Sequence, residues 1–130
     1  EEYTCGVFRN KKGETRVIIL HRKLIGGFTG KAMVVKDESI ENLCRNIATA
    51  LDLRGSINVQ LIKTSKGPVP FEINPRFSST VLFRELLGFR DVLWSILDIL
   101  GKDSKLSFSA PVGTRLYRSW EEIIIPPSKK

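Results

Sequence analysis

Four polar side chains in two short stretches have types that could act on a phosphate together. Gln60 lies in Ile57-Asn58-Val59-Gln60-Leu61. Glu72, Asn74 and Arg76 lie in Phe71-Glu72-Ile73-Asn74-Pro75-Arg76. A carboxylate and amide oxygens are hard ligands that suit Mg²⁺, an ion that keeps waters and shares the phosphates of a substrate. A guanidinium suits a phosphoryl group through its fork of donors.

The elements that carry these residues are strands. Both stretches alternate apolar and polar with a period of two, which predicts half-buried strands over residues 55–62 and 68–74. Between them Thr64-Ser65-Lys66-Gly67 has turn composition, so the two strands should pair antiparallel. A loop of Ser65, Lys66 and Gly67 sets Thr64 opposite Pro68, Gln60 opposite Glu72 and Asn58 opposite Asn74. Directly opposed residues share a face of the sheet. Ile57, Val59 and Leu61, with Val69, Phe71 and Ile73, should then face a core. Asn58, Gln60, Glu72 and Asn74 should share the other face. The same pattern also fits a plain wet face followed by a turn at Asn74-Pro75.

The phrase from Phe71 to Arg76, preceded by Asn58-Val59-Gln60, resembles the metal site of ATP-grasp enzymes. It is most similar to the large subunit of carbamoyl-phosphate synthase, over about residues 1–101. The resemblance implies an α+β fold, an antiparallel sheet with helices packed on it, as the C-terminal lobe of an ATP-grasp enzyme. It implies that Gln60 and Glu72 hold one Mg²⁺, that Glu72 and Asn74 hold a second, and that Mn²⁺ can substitute. Arg76 is then the catalytic residue that reaches the transferred phosphate. Glu2, in Glu2-Tyr3 before an extended run, is implied to bind the ATP ribose. The loop Gly26-Gly27-Phe28-Thr29-Gly30-Lys31 is similar to one that borders the ATP cleft, which makes Gly27, Phe28 and Thr29 nucleotide-binding candidates. The synthase carries a His where this chain has Phe28, and this departure argues against bicarbonate activation. The family often has an acidic residue where Gly6 stands.

The implied function is an ATP- and Mg²⁺-dependent ligase that activates a carboxylate, or bicarbonate, as an acyl phosphate. ATP and the small-molecule carboxylate or bicarbonate are the implied partners. So is an N-terminal ATP-grasp lobe of the same chain, because its glycine-rich flap and basic residues are not found here. The isolated chain is therefore expected to be inactive. Two other readings compete: a non-catalytic nucleotide- or partner-binding domain of the same fold, and a basic nucleic-acid-binding module.

The remaining elements follow from pattern. Residues 1–9 and 15–22 read as a hairpin around Gly13. Residues 37–53 read as a helix capped by Asp37, with Ile40, Leu43, Cys44, Ile47, Ala48, Ala50 and Leu51 on its apolar face. Residues 26–31 form a glycine loop that is no Walker loop, since no Ser or Thr follows Lys31. A helix over residues 81–87 takes Ser79 or Thr80 as its cap. Asp91 caps the next helix, with Val92, Leu93, Ile96, Leu97 and Leu100 inward. Residues 102–109 read as loop, 114–120 and 122–125 as short strands, and 126–130 as a frayed tail. Residues 1–125 would make one lobe.

Composition narrows the class. A chain of 130 residues with 42% apolar content fits one globular domain. Opening on Glu rather than Met, it is expected to be a piece of a longer protein. The greasy run over residues 92–100 is broken by Ser95 and Asp98 and is too short to cross a bilayer, so no membrane association is expected. Two cysteines, Cys5 and Cys44, make neither a disulfide framework nor a zinc pattern, which points to a reducing, cytoplasmic setting. The net charge of +7 is scattered rather than striped with aromatics, which argues against nucleic acid as a partner. His21, the only histidine, has no ligand partner at metal spacing and is assigned no role.

Overall fold

A computed structural model of the chain describes residues 1–119. In chain order it contains β1 (Glu2–Arg9), β2 (Thr15–Ile25), β3 (Phe28–Val35), α1 (Glu38–Ala50), β4 (Gly55–Thr64), β5 (Gly67–Asn74), α2 (Val81–Leu86), α3 (Asp91–Ile99) and β6 (Arg115–Tyr117). The six strands form one sheet in the order β5-β4-β1-β2-β3-β6, and every neighbouring pair is antiparallel. This is the α+β architecture expected. The short strands expected at residues 114–120 reduce to β6, while the strand at 122–125 and the tail at 126–130 lie outside the described residues. Among the described residues no helix is long and apolar enough to cross a membrane.

Strand alternation splits the sheet into two faces. Tyr3, Cys5 and Val7 of β1, with Ile57, Val59 and Leu61 of β4, are buried beneath Ile40, Cys44 and Ala48 of α1. Each of the Val, Ile and Leu side chains among them contributes about 1.5–3 kcal/mol by leaving water. Both cysteines are free and serve as small buried residues of this layer. On the opposite face Phe8, Ile18, Leu20, Ala32 and Val34 are covered by Phe89, Trp94 and Leu106. That cover reaches only one end of the sheet, and the other end of the same face remains open.

Helix α1 begins where the sequence predicts. Asp37 caps it by accepting from the Ile40 N–H at 3.1 Å, with Glu38 and Glu41 in the first turn, where carboxylates favour the helix dipole. It stops earlier than expected, because Asp52 takes a left-handed φ of 43° and turns the chain toward β4. Ala50, off the face of Ile40, Cys44 and Ala48, and Leu51, at the helix end, are exposed rather than inward.

Several expectations are corrected. The loop expected over residues 26–31 is a hairpin: β2 runs on to Ile25 and β3 starts at Phe28, with Gly26 and Gly27 at φ of 59° and 81°. Two consecutive positive φ values are what a tight two-residue hairpin turn needs. The turn between β4 and β5 is also tighter than expected, with Thr64 opposite Gly67 instead of Pro68. A register shift follows, in which Leu61 pairs with Pro70, Gln60 pairs with Glu72 and Phe71 is the extra residue. The shift carries Val69 opposite Ile62, off the α1 face. Val69, Phe71 and Ile73 are 46%, 53% and 43% exposed, not in the core. Edge position adds to this, since the buried core under α1 is contributed by β1, β2 and β4. In α3 the inward residues are Asp91 and Trp94, whereas Ile96 and Leu100 are exposed. Asp91 is the first residue of α3 and not its cap. At α2, Thr80 stands at the cap position without a side-chain bond to the helix.

Candidate active site

The open end of the second face forms a cavity of about 320 Å³. Its floor is built by even-numbered residues of the central strands. Thr4 of β1 stands beside Gln60 of β4 and Leu20 of β2, and Asn58 and Gln60 face Asn74 and Glu72 of β5. Gln60, Glu72, Asn74 and Arg76 thus line one cavity, as do Gly27, Phe28 and Thr29 from the β2–β3 turn. Glu2 does not line it, but is tied to a residue that does. Arg22, two residues beyond Leu20 on the same face, lines the wall and donates from Nη2 to Oε1 of Glu2 and, at 2.5 Å, to Oε1 of Gln60.

Several of these side chains are fixed and others are not. Thr4 Oγ1 donates to Asn58 Oδ1 at 2.9 Å, and both residues are buried. Thr29 is buried, and its carbonyl accepts from Arg118 Nε at 3.1 Å, which anchors the turn bearing Gly27 and Phe28. Glu72 and Arg76 are exposed, and Arg76 Nη1 donates to the Phe77 carbonyl at 3.0 Å. Asn74 is half-buried, and its Nδ2 is buried without a partner. An unpaired buried amide is costly unless something outside the protein satisfies it.

Beside the floor, on the same face of the sheet, lies a charge pair that the sequence reading missed. Arg84 of α2 is 0% exposed and lies against Gly6, where a Cβ would come within 2.6 Å of its Cδ. Its Nη2 is 2.8 Å from Asp91 Oδ2, yet neither this nitrogen nor Nε makes a directed hydrogen bond, so the contact is chiefly electrostatic. Burial pushes the Asp91 carboxyl above its ordinary range, while Arg84 and the Ser56 hydroxyl, 2.6 Å away, pull it down. The glycine at position 6 therefore has a steric reason.

Arg22, Thr4, Ser78 and Ser79 line the cavity and were not among the sequence candidates. Arg22 could have been found by extending the β2 alternation Ile18, Leu20, Arg22. The strand expected over residues 15–22 includes it; what the sequence does not show is that β1 lies between β2 and β4 and so sets Arg22 within reach of Gln60.

The cavity can be tested for a metal by its donors. Gln60, Glu72 and Asn74 offer two amide oxygens and one carboxylate, all hard. Asn74 has no partner within the described protein that fixes which end of its amide faces the cavity. Among the described residues no three His, Cys, Asp or Glu residues gather as a metal cluster. A donor set this light suits an ion that takes much of its shell from water and substrate phosphates, as Mg²⁺ does.

A family model described as ATP-grasp in the biosynthetic pathway with Ter operon matches residues 1–116. This chain belongs to that ATP-grasp family. No curated protein matches it. Its fold is similar to the phosphoribosylaminoimidazole carboxylase ATPase subunit from Aquifex aeolicus, with 18% identity and a TM-score of 0.69 over 88% of this chain and 36% of that one. N5-carboxyaminoimidazole ribonucleotide synthetase from Thermus thermophilus matches with 16% identity and a TM-score of 0.69, over 86% and 33%. Carboxyaminoimidazole ribonucleotide synthase from Aspergillus clavatus, solved with ATP, matches with 14% identity and a TM-score of 0.70, over 88% and 32%. This ATP-grasp chain spans about a third of the length of these solved relatives. At such identities the likeness establishes the lobe fold.

Proposed function

We propose that this chain is the C-terminal lobe of an ATP-dependent ligase that activates a carboxylate, or bicarbonate, as an acyl phosphate. The observation that carries the reading is the convergence of Gln60, Glu72, Asn74 and Arg76 on one cavity in a chain of the ATP-grasp family. Gln60, Glu72 and Asn74 would hold two Mg²⁺ ions, which when bound supply positive charge against the triphosphate. Arg76, exposed at the end of β5, offers its guanidinium fork to the phosphoryl group in transfer. Gly27, Phe28 and Thr29 border the nucleotide, and Glu2 stands behind Arg22 at the ribose end. In the reaction a substrate carboxylate oxygen attacks the terminal phosphorus, and the bond to the bridging oxygen breaks. Its electron pair leaves with ADP, and no protein nucleophile takes part. A nitrogen nucleophile or another acceptor then attacks the acyl phosphate.

The hairpin pattern resembles the large subunit of carbamoyl-phosphate synthase, and the solved relatives named above are carboxyaminoimidazole ribonucleotide enzymes. Both likenesses support a small acid as acceptor. Phe28, in place of the synthase's His, favours an organic carboxylate over bicarbonate.

Hydroxylamine traps acyl phosphates as hydroxamates and provides the test. In the intact protein, incubated with ATP, Mg²⁺ and a panel of carboxylic acids, hydroxamate and ADP should form in equal amounts for the correct acid. Glu72→Gln should abolish both. Formation of AMP and pyrophosphate in place of ADP would overturn the assignment.

A further inference from the structure

Arg22 is a cation in the wrong place for a simple metal cradle. Its side chain is only 8% exposed, whereas Glu72 and Arg76, the other ionised residues lining the cavity among those described, are exposed. Nη2 of Arg22 donates to Gln60 Oε1 at 2.5 Å and also to Glu2 Oε1, and Nε donates to Glu2 Oε1 at 3.2 Å. The oxygen by which Gln60 would ligate an ion is thus already held by a fixed positive charge. A divalent ion on that oxygen would stand beside the guanidinium, in a wall where water screens poorly, and the like charges would repel. Glu2 anchors the guanidinium from behind, so it cannot swing away without losing its own partner.

A triphosphate changes this balance. Among the described residues Arg22 bonds through Nε and Nη2, which leaves Nη1 for a phosphate oxygen. A charge-assisted bond of that kind is stronger than a bond to a neutral amide. A phosphate oxygen on Nη1 offsets the charge of the guanidinium while Arg22 keeps Glu2, so that the ion arriving with the nucleotide can then take the Gln60 oxygen.

We propose that Arg22 is a positioning residue that withholds Gln60 from a bare divalent cation, so that metal and triphosphate load together. The proposal rests on the reading of Gln60, Glu72 and Asn74 as metal ligands. It is tested in the intact protein by electron paramagnetic resonance of free Mn²⁺, with and without a non-hydrolysable ATP analogue. The wild type should bind Mn²⁺ at least about tenfold more tightly with the analogue than without it, since a like charge at this range shifts an equilibrium by one or more powers of ten. Arg22→Gln, and Arg22→Met with its similar stem, should bind bare Mn²⁺ about tenfold more tightly than the wild type and gain less from the analogue. Arg22→Lys keeps the charge and should stay near the wild type. In a Gln60→Ala background most of the gain from Arg22→Gln should vanish, because the residue acts through Gln60. Equal wild-type affinity with and without analogue overturns the proposal. So does an unchanged bare-ion affinity in the neutral variants, or a gain that persists undiminished in Gln60→Ala. Glu72→Gln separates the two readings. If it binds Mn²⁺ as the wild type does, the metal site itself is wrong. If it loses Mn²⁺ while the Arg22 variants behave as wild type, only the role of Arg22 fails.

Discussion

Glu72 and Leu61 sit on paired strands of one hairpin and answer to different physics. Glu72 is exposed at the cavity, so Glu72→Gln removes a charge without opening a hole. Its unfolding midpoint in denaturant should move by less than about 0.5 kcal/mol equivalent, while the acyl-phosphate formation proposed for the intact protein should collapse. Leu61 is 0% exposed beneath α1, and Leu61→Ala should cost about 2–5 kcal/mol by the same measurement yet spare turnover in the protein that remains folded. Near-normal turnover of Glu72→Gln at every Mg²⁺ concentration would show that the polar face is only a wet face. Gly6 makes the steric point alone. A Cβ there meets Arg84 Cδ at 2.6 Å, and Arg84 is fully buried with its guanidinium held at Asp91. Gly6→Ala should destabilise by about 1–3 kcal/mol in denaturant titration. An unchanged midpoint would mean that Arg84 can move aside.

At the scale of elements, α1 supplies a pH-dependent increment of stability. Lys63, the Ser39 hydroxyl and the Ile40 N–H hold the Asp37 carboxyl down to about 2 from an ordinary 3.8. A depressed folded value means that the ionised form is the one the fold prefers. Its contribution is present above about pH 4 and is lost as the pH falls through about 2. Asp37→Ala should therefore cost about 0.5–2 kcal/mol near neutrality, and its gap to the wild type should close over that acid window in midpoints measured along a pH series. A gap that stays constant with pH would assign the loss to packing. The β4–β5 hairpin shows a second element-scale device. Its turn is one residue shorter than expected, and the bulge at Phe71 restores Gln60 to Glu72. A hairpin of either turn length can present the same polar row provided a bulge corrects the parity.

The molecule as a whole is one lobe beside an open face. It spans about a third of the length of its solved relatives, and its cavity is walled by the sheet, the Gly26–Gly27 turn and the segment from Arg76 to Ser79, with no residue of α2 or α3 among its lining. An open cavity neither excludes water nor holds a triphosphate in line with an acceptor. The isolated 130-residue chain should accordingly show no ATP turnover above a Glu72→Ala control in a coupled ADP assay. Measurable turnover would show that these residues suffice by themselves. Val69, Phe71 and Ile73 stay exposed on the edge strand β5, with Val69 and Ile73 on opposite faces across the bulge.

The sequence by itself determined what local periodicity can carry. The strands β1, β2, β4 and β5, the helical spacing of Ile40, Cys44 and Ala48, and the Asp37 cap are near-neighbour patterns, and each element appears where it was read, although the apolar side chains of β5 stay exposed. Parity alone put Asn58, Gln60, Glu72 and Asn74 in one row. Pairwise geometry at long range was not legible. The length of the β4–β5 turn and its bulge depend on how both strands settle against β1. The tight Gly26–Gly27 turn, which brings Gly27, Phe28 and Thr29 to the cavity, looks in sequence like any glycine loop. Arg22 reaches Gln60 across β1, over 38 positions of sequence, and Arg84 finds Gly6 across most of the chain. Such contacts are set by sheet order and helix packing, where a side chain meets whatever the topology brings opposite it, and no residue announces its distant partner in its own neighbourhood.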